Sequence, residues 1–595
     1  MAPTPRLLRT LAFSTVVLLS PSRPTAAAEG PPPFTGHLTE VDGVQVILSV
    51  KHPKQVNRDL EKLIAGAPEA IVLRLALGST TRYGYPEYSD FAADANFGVA
   101  LLEFSGANLK ATPPVFVGFA KLKENGKVWT LLRQNHLTLQ KRGDWVLIAK
   151  DEAALGHLRS PDAVIAYLEK PQTEDFRLWG RASPALLDGL REMVLPPFKA
   201  KLAHYSPEKQ KAALAYFDAF YSLLRQLHSV EVSLTCTATA LEITDSVQFR
   251  PDSPIGIFLS YPPGPPPAAA QYLSADALGS FVTQANPKAY RDLANSIFDT
   301  LIAVDYPPLA EKLKQLKTTY SALAAAIDGS TAGVFDLGLR KVNGRDQLAP
   351  QYFLVMCGHV SPELARDYFK RSQSMNKPFG KFSMAGFAGG AFENHSTYVE
   401  NAASVDGVAF DSFTTANTFN GKELSRMTQY AGVANGDLVL ADSEATLKAR
   451  LPALRAKTEP ASGIPAAARP GEYGRITLSG GRLVDLLAEA AKVNRNDPDV
   501  AAQLGDLKAG YAVAGPLTWS ITNGEARAAV TFSMPYKFIS ASVHLGIYMS
   551  SQNLNLMQLL SPNVPAAPRH YRPRPRPAPM PPSEPASKPS PAPTL

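Results

Sequence analysis

Two cysteines and four tryptophans in 595 residues leave little material for metal, redox or disulfide chemistry. The ten histidines form no HExxH, no HxH and no cluster with cysteine, so a zinc site is not indicated. No GxSxG elbow, phosphate-binding loop or dinucleotide fingerprint occurs, and no cofactor is expected. The chain also lacks any stretch near the roughly 20 unbroken apolar residues that a membrane helix needs. No transmembrane segment is therefore expected. An excess of one charge is missing as well, although the formal total is +7. Arg6, Arg9 and Arg23 lie in the first 28 residues, while Arg569, Arg572, Arg574, Arg576 and Lys588 against Glu584 lie in the last 35. The body between them is neutral, which argues against a nucleic-acid partner.

The N-terminus reads as an address. Arg6 and Arg9 precede the short apolar run "LAFSTVVLL", and "AAA" at 26–28 offers the small residues an export peptidase needs. Residues 1–28 are expected to be a cleaved signal peptide and the mature protein to be secreted or periplasmic. In such a compartment Cys236 and Cys357 could pair. Each also sits where a small core residue belongs, Cys236 on the apolar side of an alternation and Cys357 at the end of "YFLVMC".

Within the body the chain says several things twice. "GDWVLIAKDEAAL" at 143–155 is echoed by "GDLVLADSEATL" at 436–447. "HPKQVNRDLEK" at 52–62 is similar to "HVSPELARDYFK" at 359–370, where Ser361-Pro362 is a strong helix start. Asn125-Gly126 and Asp406-Gly407 are hairpin signals at matching places, followed by hairpins closed at Gly143-Asp144 and Gly436-Asp437. "FRLWGRASPALLDGL" at 176–190 parallels "YGRITLSGGRLVDLL" at 473–487, and the stretches 232–249 and 517–532 read as a final hairpin in each copy. The expected fold is α+β: two similar domains, each an antiparallel sheet with helices packed on one face. The first would span 29–260 and the second 331–560. Between them, 261–330 reads as a linker opened by "YPPGPPPAAA" and followed by three helices over 271–328. Residues 452–471, with four prolines, read as a surface loop. Beyond 560, 13 of the last 35 residues are proline, including "RPRPRP" at 572–577. Such a tail favours polyproline II or disorder and could tether the protein to an envelope polymer or another protein.

Candidate site residues are few. Cys357 and His359 form the best nucleophile-like pair, with no orienting acid in view. A ligand surface is better supplied: Tyr83, Tyr85, Tyr88 and Phe91 in "TRYGYPEYSDF", and Phe379, Phe382 and Phe387 in "MNKPFGKFSMAGFAGGAFENH". Aromatic residues on loops give large contact at low entropic cost, which suits glycan, peptide or lipid. The same rings could instead fold back as core plugs.

The export signal, the repeated "GDWVLIAKDEAAL" element and the strand and helix order resemble a group of exported bacterial proteins described only as domains of unknown function. The resemblance spans residues 34–548, implies a bacterial envelope setting and brings no catalytic residues. The sequence thus points to a non-catalytic envelope binding or scaffold protein. The alternatives are a hydrolase of wall or exogenous polymer, using residues such as His136, Asp144 and Asp437, and a carrier of an apolar ligand with a cavity lined from 375–395.

Overall fold

The computed structural model describes residues 44–51, 55, 56, 58, 59, 62, 90–92, 95–102, 115–203, 205–304, 307–342, 345–374, 381–384, 390–419, 422–460, 464, 472–495 and 498–551. The first half opens with β1 (Val44–Val50), β2 (Phe97–Leu102), β3 (Phe116–Ala120), α1 (Lys127–Gln134), β4 (Thr138–Arg142) and β5 (Trp145–Ala149). It continues through α2 (Glu152–Gly156), α3 (Pro161–Glu169), β6 (Phe176–Arg181), α4 (Pro184–Leu202), α5 (Pro207–Leu224), β7 (Leu227–Cys236), β8 (Ala240–Phe249) and α6 (Pro254–Leu259). The second half runs β9 (Gly279–Gln284), α7 (Pro287–Ile302), α8 (Pro307–Ala326), β10 (Ile327–Val342), β11 (Arg345–Gly358) and α9 (Pro362–Ser374). A meander follows: β12 (Lys381–Met384), β13 (Gly390–Val405), β14 (Val408–Phe419), β15 (Lys422–Ala434) and β16 (Asp437–Ala441). The last elements are α10 (Glu444–Ala456), β17 (Gly474–Leu478), α11 (Gly480–Arg495), α12 (Pro498–Ala514), β18 (Leu517–Gly524), β19 (Arg527–Pro535) and α13 (Tyr536–Ser551).

The fold is α+β, built on one sheet of 19 strands. The pairings run, edge to edge, β4-β5-β3-β2-β1-β6-β7-β8-β19-β18-β17-β9-β10-β11-β16-β15-β14-β13-β12, every neighbour antiparallel. The first and second halves of the chain meet in that order at the seam between β8 and β19, where Gln248 faces Arg527 and Ala240 faces Pro535. Side chains reinforce it: Thr244 Oγ1 and Thr531 Oγ1 lie 3.0 Å apart, and Arg527 Nη2 donates to Ser246 Oγ at 2.8 Å. The segment expected to be a linker therefore does something else. It holds two helices and a strand, and that strand, β9, pairs with both β10 and β17.

Helices cover both faces of the sheet, not one. Strand β16 shows why, because its successive side chains point to opposite sides. Leu438 packs with Leu323 of α8 and Ala365 of α9, whereas Val439 and Ala441 pack with Leu447, Leu451 and Leu454 of α10. In the first half the corresponding layer is α2 and α3, whose Ala154, Val164 and Leu168 close over Ile47, Val117, Phe119 and Leu147. Ile464, in the stretch read as a surface loop, is buried in the core of the second half, and its N–H donates to Leu273 O at 3.0 Å.

Local signals explain the twice-quoted motif. Asn435 and Gly436 adopt φ of 54° and 89°, the left-handed pair that a tight hairpin requires, and Gly143 has φ 60°. After each hairpin the strand ends on a helix cap: Asp151 accepts from Ala154 N at 2.8 Å, and Ser443 Oγ accepts from Thr446 N at 3.2 Å. Ser361 caps α9 in the same way, through Leu364 N at 3.2 Å. Asn125-Gly126 departs from expectation. Asn125 has the positive φ of a turn, but the chain enters α1 rather than a second strand, since Val128 N is capped by the buried Asp90 carboxylate at 2.8 Å. Both cysteines are buried and free, the core role and not the bridge.

Removing either cap of the repeated motif should be felt alone. Asp151→Ala and Ser443→Ala are each expected to lower unfolding free energy by about 1 kcal/mol, read as a shifted urea midpoint with an unchanged slope.

Candidate functional site

A feature with ligand character lies in the first half. A cleft of about 760 Å³ opens over β2, β3 and β5. Phe97, Val99, Phe116 and Ile148 floor it, and Val128 and Leu132 of α1 wall it. Gly118 lies in the middle of this floor; a Cβ there would stand 3.3 Å from Ile148 Cβ, so glycine keeps the floor low. Val99 and Phe116 are exposed hydrophobics, 37% and 51% accessible, which marks the cleft as an apolar surface left open. The polar groups at its margin are few. Asp151 is spent on the α2 cap, and Lys150 and His157 stand beside it.

Phe91 reaches this cleft because its neighbours are pinned. Ala92 N donates to Lys121 O at 3.0 Å and Lys123 N to Asp90 O at 2.8 Å, while Phe91 bridges to Leu122. Its ring lies 6.0 Å from that of Phe97. Of the aromatic residues singled out in the sequence, Phe91 is thus a wall of the cleft. Tyr83, Tyr85, Tyr88, Phe379 and Phe387 lie outside the described residues. Phe382 belongs to β12, opposite Phe392 of β13, and its side chain is likewise outside them.

The residues considered for catalysis do not assemble. Cys357 is buried, and burial pushes its thiol up to about 11, so it is protonated at neutral pH. His359 lies beyond the end of β11 and is exposed. His136 and Asp144 are exposed near one edge of the sheet, while Asp437 accepts from Gly358 N at 3.0 Å far along the strand order. Among the described residues no group of three or more histidine, cysteine, aspartate or glutamate side chains is arranged to hold a metal. No helix among them is long and apolar enough to cross a membrane.

One buried polar cluster carries no sequence signature. Asp59 and Asp175, 2% and 1% exposed, meet beneath Lys51, whose Nζ lies 3.7 Å from Asp59 Oδ2 and 3.5 Å from Asp175 Oδ1. Lys62 bonds Asp59 Oδ1, Gln55 Nε2 donates to Asp59 Oδ2 at 3.0 Å, and Cys236 N donates to Asp175 Oδ2 at 2.6 Å. Burial alone would raise both carboxyls. Hydrogen bonds from Lys62 and Gln55 outweigh it at Asp59, which is held below its ordinary value. At Asp175 burial prevails, helped by the neighbouring Asp59, and the carboxyl is raised. Burial, then the charges of Asp175 and Asp59, push the Cys236 thiol up to about 11. The cluster is a clamp between the helical residues 55, 56, 58, 59 and 62 and the start of β6, with the nearby Cys236 thiol kept inert. The sequence showed Asp59 only as part of a repeated "RD", and Asp175 not at all, because the two meet only when β1 pairs with β6.

The chain matches no protein-family model, no curated protein and no solved structure among those compared.

The clamp makes an asymmetric prediction. Asp59→Asn strips Lys62 of its counter-charge and leaves Lys51 only Asp175, and should cost about 1 kcal/mol. Asp175→Asn keeps an acceptor for Cys236 N, removes the repulsion from Asp59 and should be neutral or stabilising at pH 7. The sign follows from the shifts. The depressed Asp59 contributes stability above its unfolded value and loses it as pH falls, whereas the raised Asp175 contributes below its unfolded value and loses it as pH rises. Thermal melts of both variants at pH 4 and pH 7 check this: the advantage of Asp175→Asn over wild type should be larger at pH 7.

Proposed function

We propose that the chain is an exported, non-catalytic binding protein of the bacterial envelope, and that the first-half cleft takes an apolar ligand. The carrying observation is the cleft itself, whose volume of about 760 Å³ falls within the ~300–1,000 Å³ range of small-molecule sites. Its floor and walls are apolar, and its lining offers no activated nucleophile and no paired acid and base. Binding is what such a lining can do. The cleft is lined by residues between Phe91 and His157; the alternative cavity lined from 375–395 falls largely outside the described residues.

The reading includes an internal duplication, with the copies joined edge to edge at the seam. The order of strands supports it: β4-β5-β3-β2-β1-β6-β7-β8 outward to inward on one side answers β15-β16-β11-β10-β9-β17-β18-β19 on the other. Register supports it too. Val117 faces Ala149 as Phe353 faces Ala441, and all four side chains are buried. On β6, Arg177 pairs with Glu174, and on β17 Arg475 pairs with Glu472, each three residues back. The partner of "PKQVNRDL" at 53–60 is then "PKAYRDL" at 287–293, not the stretch at 359–370, which answers α1. Gly118 of the cleft floor falls opposite Ile148 as Leu354 falls opposite Leu440, so a leucine stands in the second copy where the first is hollow.

The apolar-ligand reading is tested with a naphthylamine probe that fluoresces in apolar sites. Saturable binding to the full chain is expected, weakened about tenfold or more by Phe116→Asp or Val99→Asp. Both side chains are already exposed, so melting temperature should not move, and unchanged probe affinity in both variants would discard the cleft as the site. Residues 561–595 lie outside the described residues. As an electrostatic tether, this tail should be dispensable for folding: its deletion is expected to leave the melting temperature unchanged and to weaken sedimentation with envelope fractions at low salt. Equal partition of the two forms would remove the tether.

A further inference from the structure

We propose that the paired helices α4 and α5 are a docking site for one amphipathic helix supplied by a partner protein. The warrant is a comparison within the molecule. In the second half, α11 and α12 form a two-helix platform after β17, and a third helix, α13, lies on it. Val484, Leu487 and Ala491 of α11 and Leu504 and Tyr511 of α12 are buried against Phe538, Ala541 and Leu545 of α13. The Tyr511 and Phe538 rings meet edge-on at 5.0 Å, and Tyr511 OH donates to Ser542 Oγ at 3.1 Å.

In the first half the same platform follows β6 and is already assembled. Arg225 Nη2 of the residue after α5 reaches Asp188 of α4 at 3.0 Å, and Arg191 reaches Asp218 at 2.7 Å, as Lys508 reaches Asp485 at 2.8 Å between α11 and α12. Among the described residues of this half, no long third helix lies on the platform. Helix α6, which follows β8 as α13 follows β19, spans only Pro254–Leu259; it packs on α7 and Ala528 of β19 and reaches the platform only at Leu223, at the end of α5. The platform's apolar face is consequently bare among the described residues: Leu190 and Val194 of α4 and Phe220 and Leu224 of α5 are all exposed. Phe220 stands at the position of Tyr511 when each helix is counted from its opening proline, yet it is 54% exposed where Tyr511 is 3%. Aligned instead through the facing pairs Arg177–Ser233 and Arg475–Ser520, the position of Tyr511 falls at Leu224, one turn on and on the same face.

The occupant is read from the complete half. There the covering element is a single helix presenting an aromatic, a small and a leucine side chain at i, i+3 and i+7, and not a second helix pair as a copy of this chain would bring.

The test uses a fluorescein-labelled peptide reproducing residues 535–551, titrated with the full chain and followed by anisotropy. Saturable binding is expected, weakened about tenfold or more by Leu190→Lys or Phe220→Lys in the protein and by replacing Phe538 and Leu545 with alanine in the peptide. Absence of binding up to about 1 mM, or binding indifferent to these changes, overturns the proposal. So does a dimer in sedimentation that either lysine variant disperses, which would make the occupant a second copy. The variants should melt with the wild type, because both side chains stand in solvent. A fall of many degrees would mean that the chain already covers this face itself, and would overturn the proposal as well.

Discussion

The antiparallel pairing of β8 with β19 is the contact on which the rest of the architecture depends. Two strands that would be sheet edges, with unpaired N–H and C=O groups open to any passing strand, satisfy each other along nine consecutive pairs. Because the partners lie 287 residues apart at Thr244 and Thr531, this pairing closes the longest loop of any described strand pairing. Its entropic cost is met by hydrogen bonds along the whole strand length and not by one contact. The seam also carries charge across. Arg527 bonds Ser246 on β8 and reaches Glu231 on β7, which in turn lies near Arg177 on β6, so alternating charges on three strands reach across the seam. Two halves joined in this manner cannot swing about a linker.

That continuity explains why the sequence misled at one place and informed at others. Hairpins and caps are local. Asn435-Gly436 needs only its own φ angles, and Asp151, Ser361 and Ser443 need only the next turn of chain, so all were readable. Strand β9 was not, because "GSFVTQ" is six residues between prolines and helices, and its identity as a strand is conferred by β10 and β17 on either side. The same holds for the helix match. Residues 52–62 and 359–370 look alike as amphipathic segments with "RD", but helical periodicity reports a buried face without saying which strand it covers. Only strand order places 287–293 opposite 53–60.

The candidate site was legible in smaller measure. Phe91 drew notice as one aromatic among several, and the cleft wall is where it stands. Nothing in the sequence distinguishes Phe116, Val99 and Ile148 from ordinary strand residues, because a strand with one open apolar face and one with two packed faces have the same composition until the covering layer is known. The Asp59 and Asp175 clamp illustrates the same limit for charge: buried acids are recognisable by burial, which is a property of the folded chain.

The two halves share a plan and differ in what finishes it, and the differences fall where a surface is either closed or left open. Leu354 fills the sheet where Gly118 leaves it hollow. Tyr511 lies under α13 where Phe220 lies in solvent. Exposing apolar surface costs stability at roughly 25 cal/mol per Å², and the second half avoids that cost at both places. A chain that can close these surfaces in one half, with the same strands and the same helix platform, keeps them open in the other at a standing energetic expense. Packing gives no return on that expense, since nothing in the first-half core rests on Phe116 or Phe220. Occupancy does: each open face regains the lost burial when something apolar settles on it, and the two faces are served by different elements, the cleft by β2, β3 and α1 and the platform by α4 and α5. In the proposed reading, the half with its surfaces closed steadies the sheet and the half with its surfaces open binds.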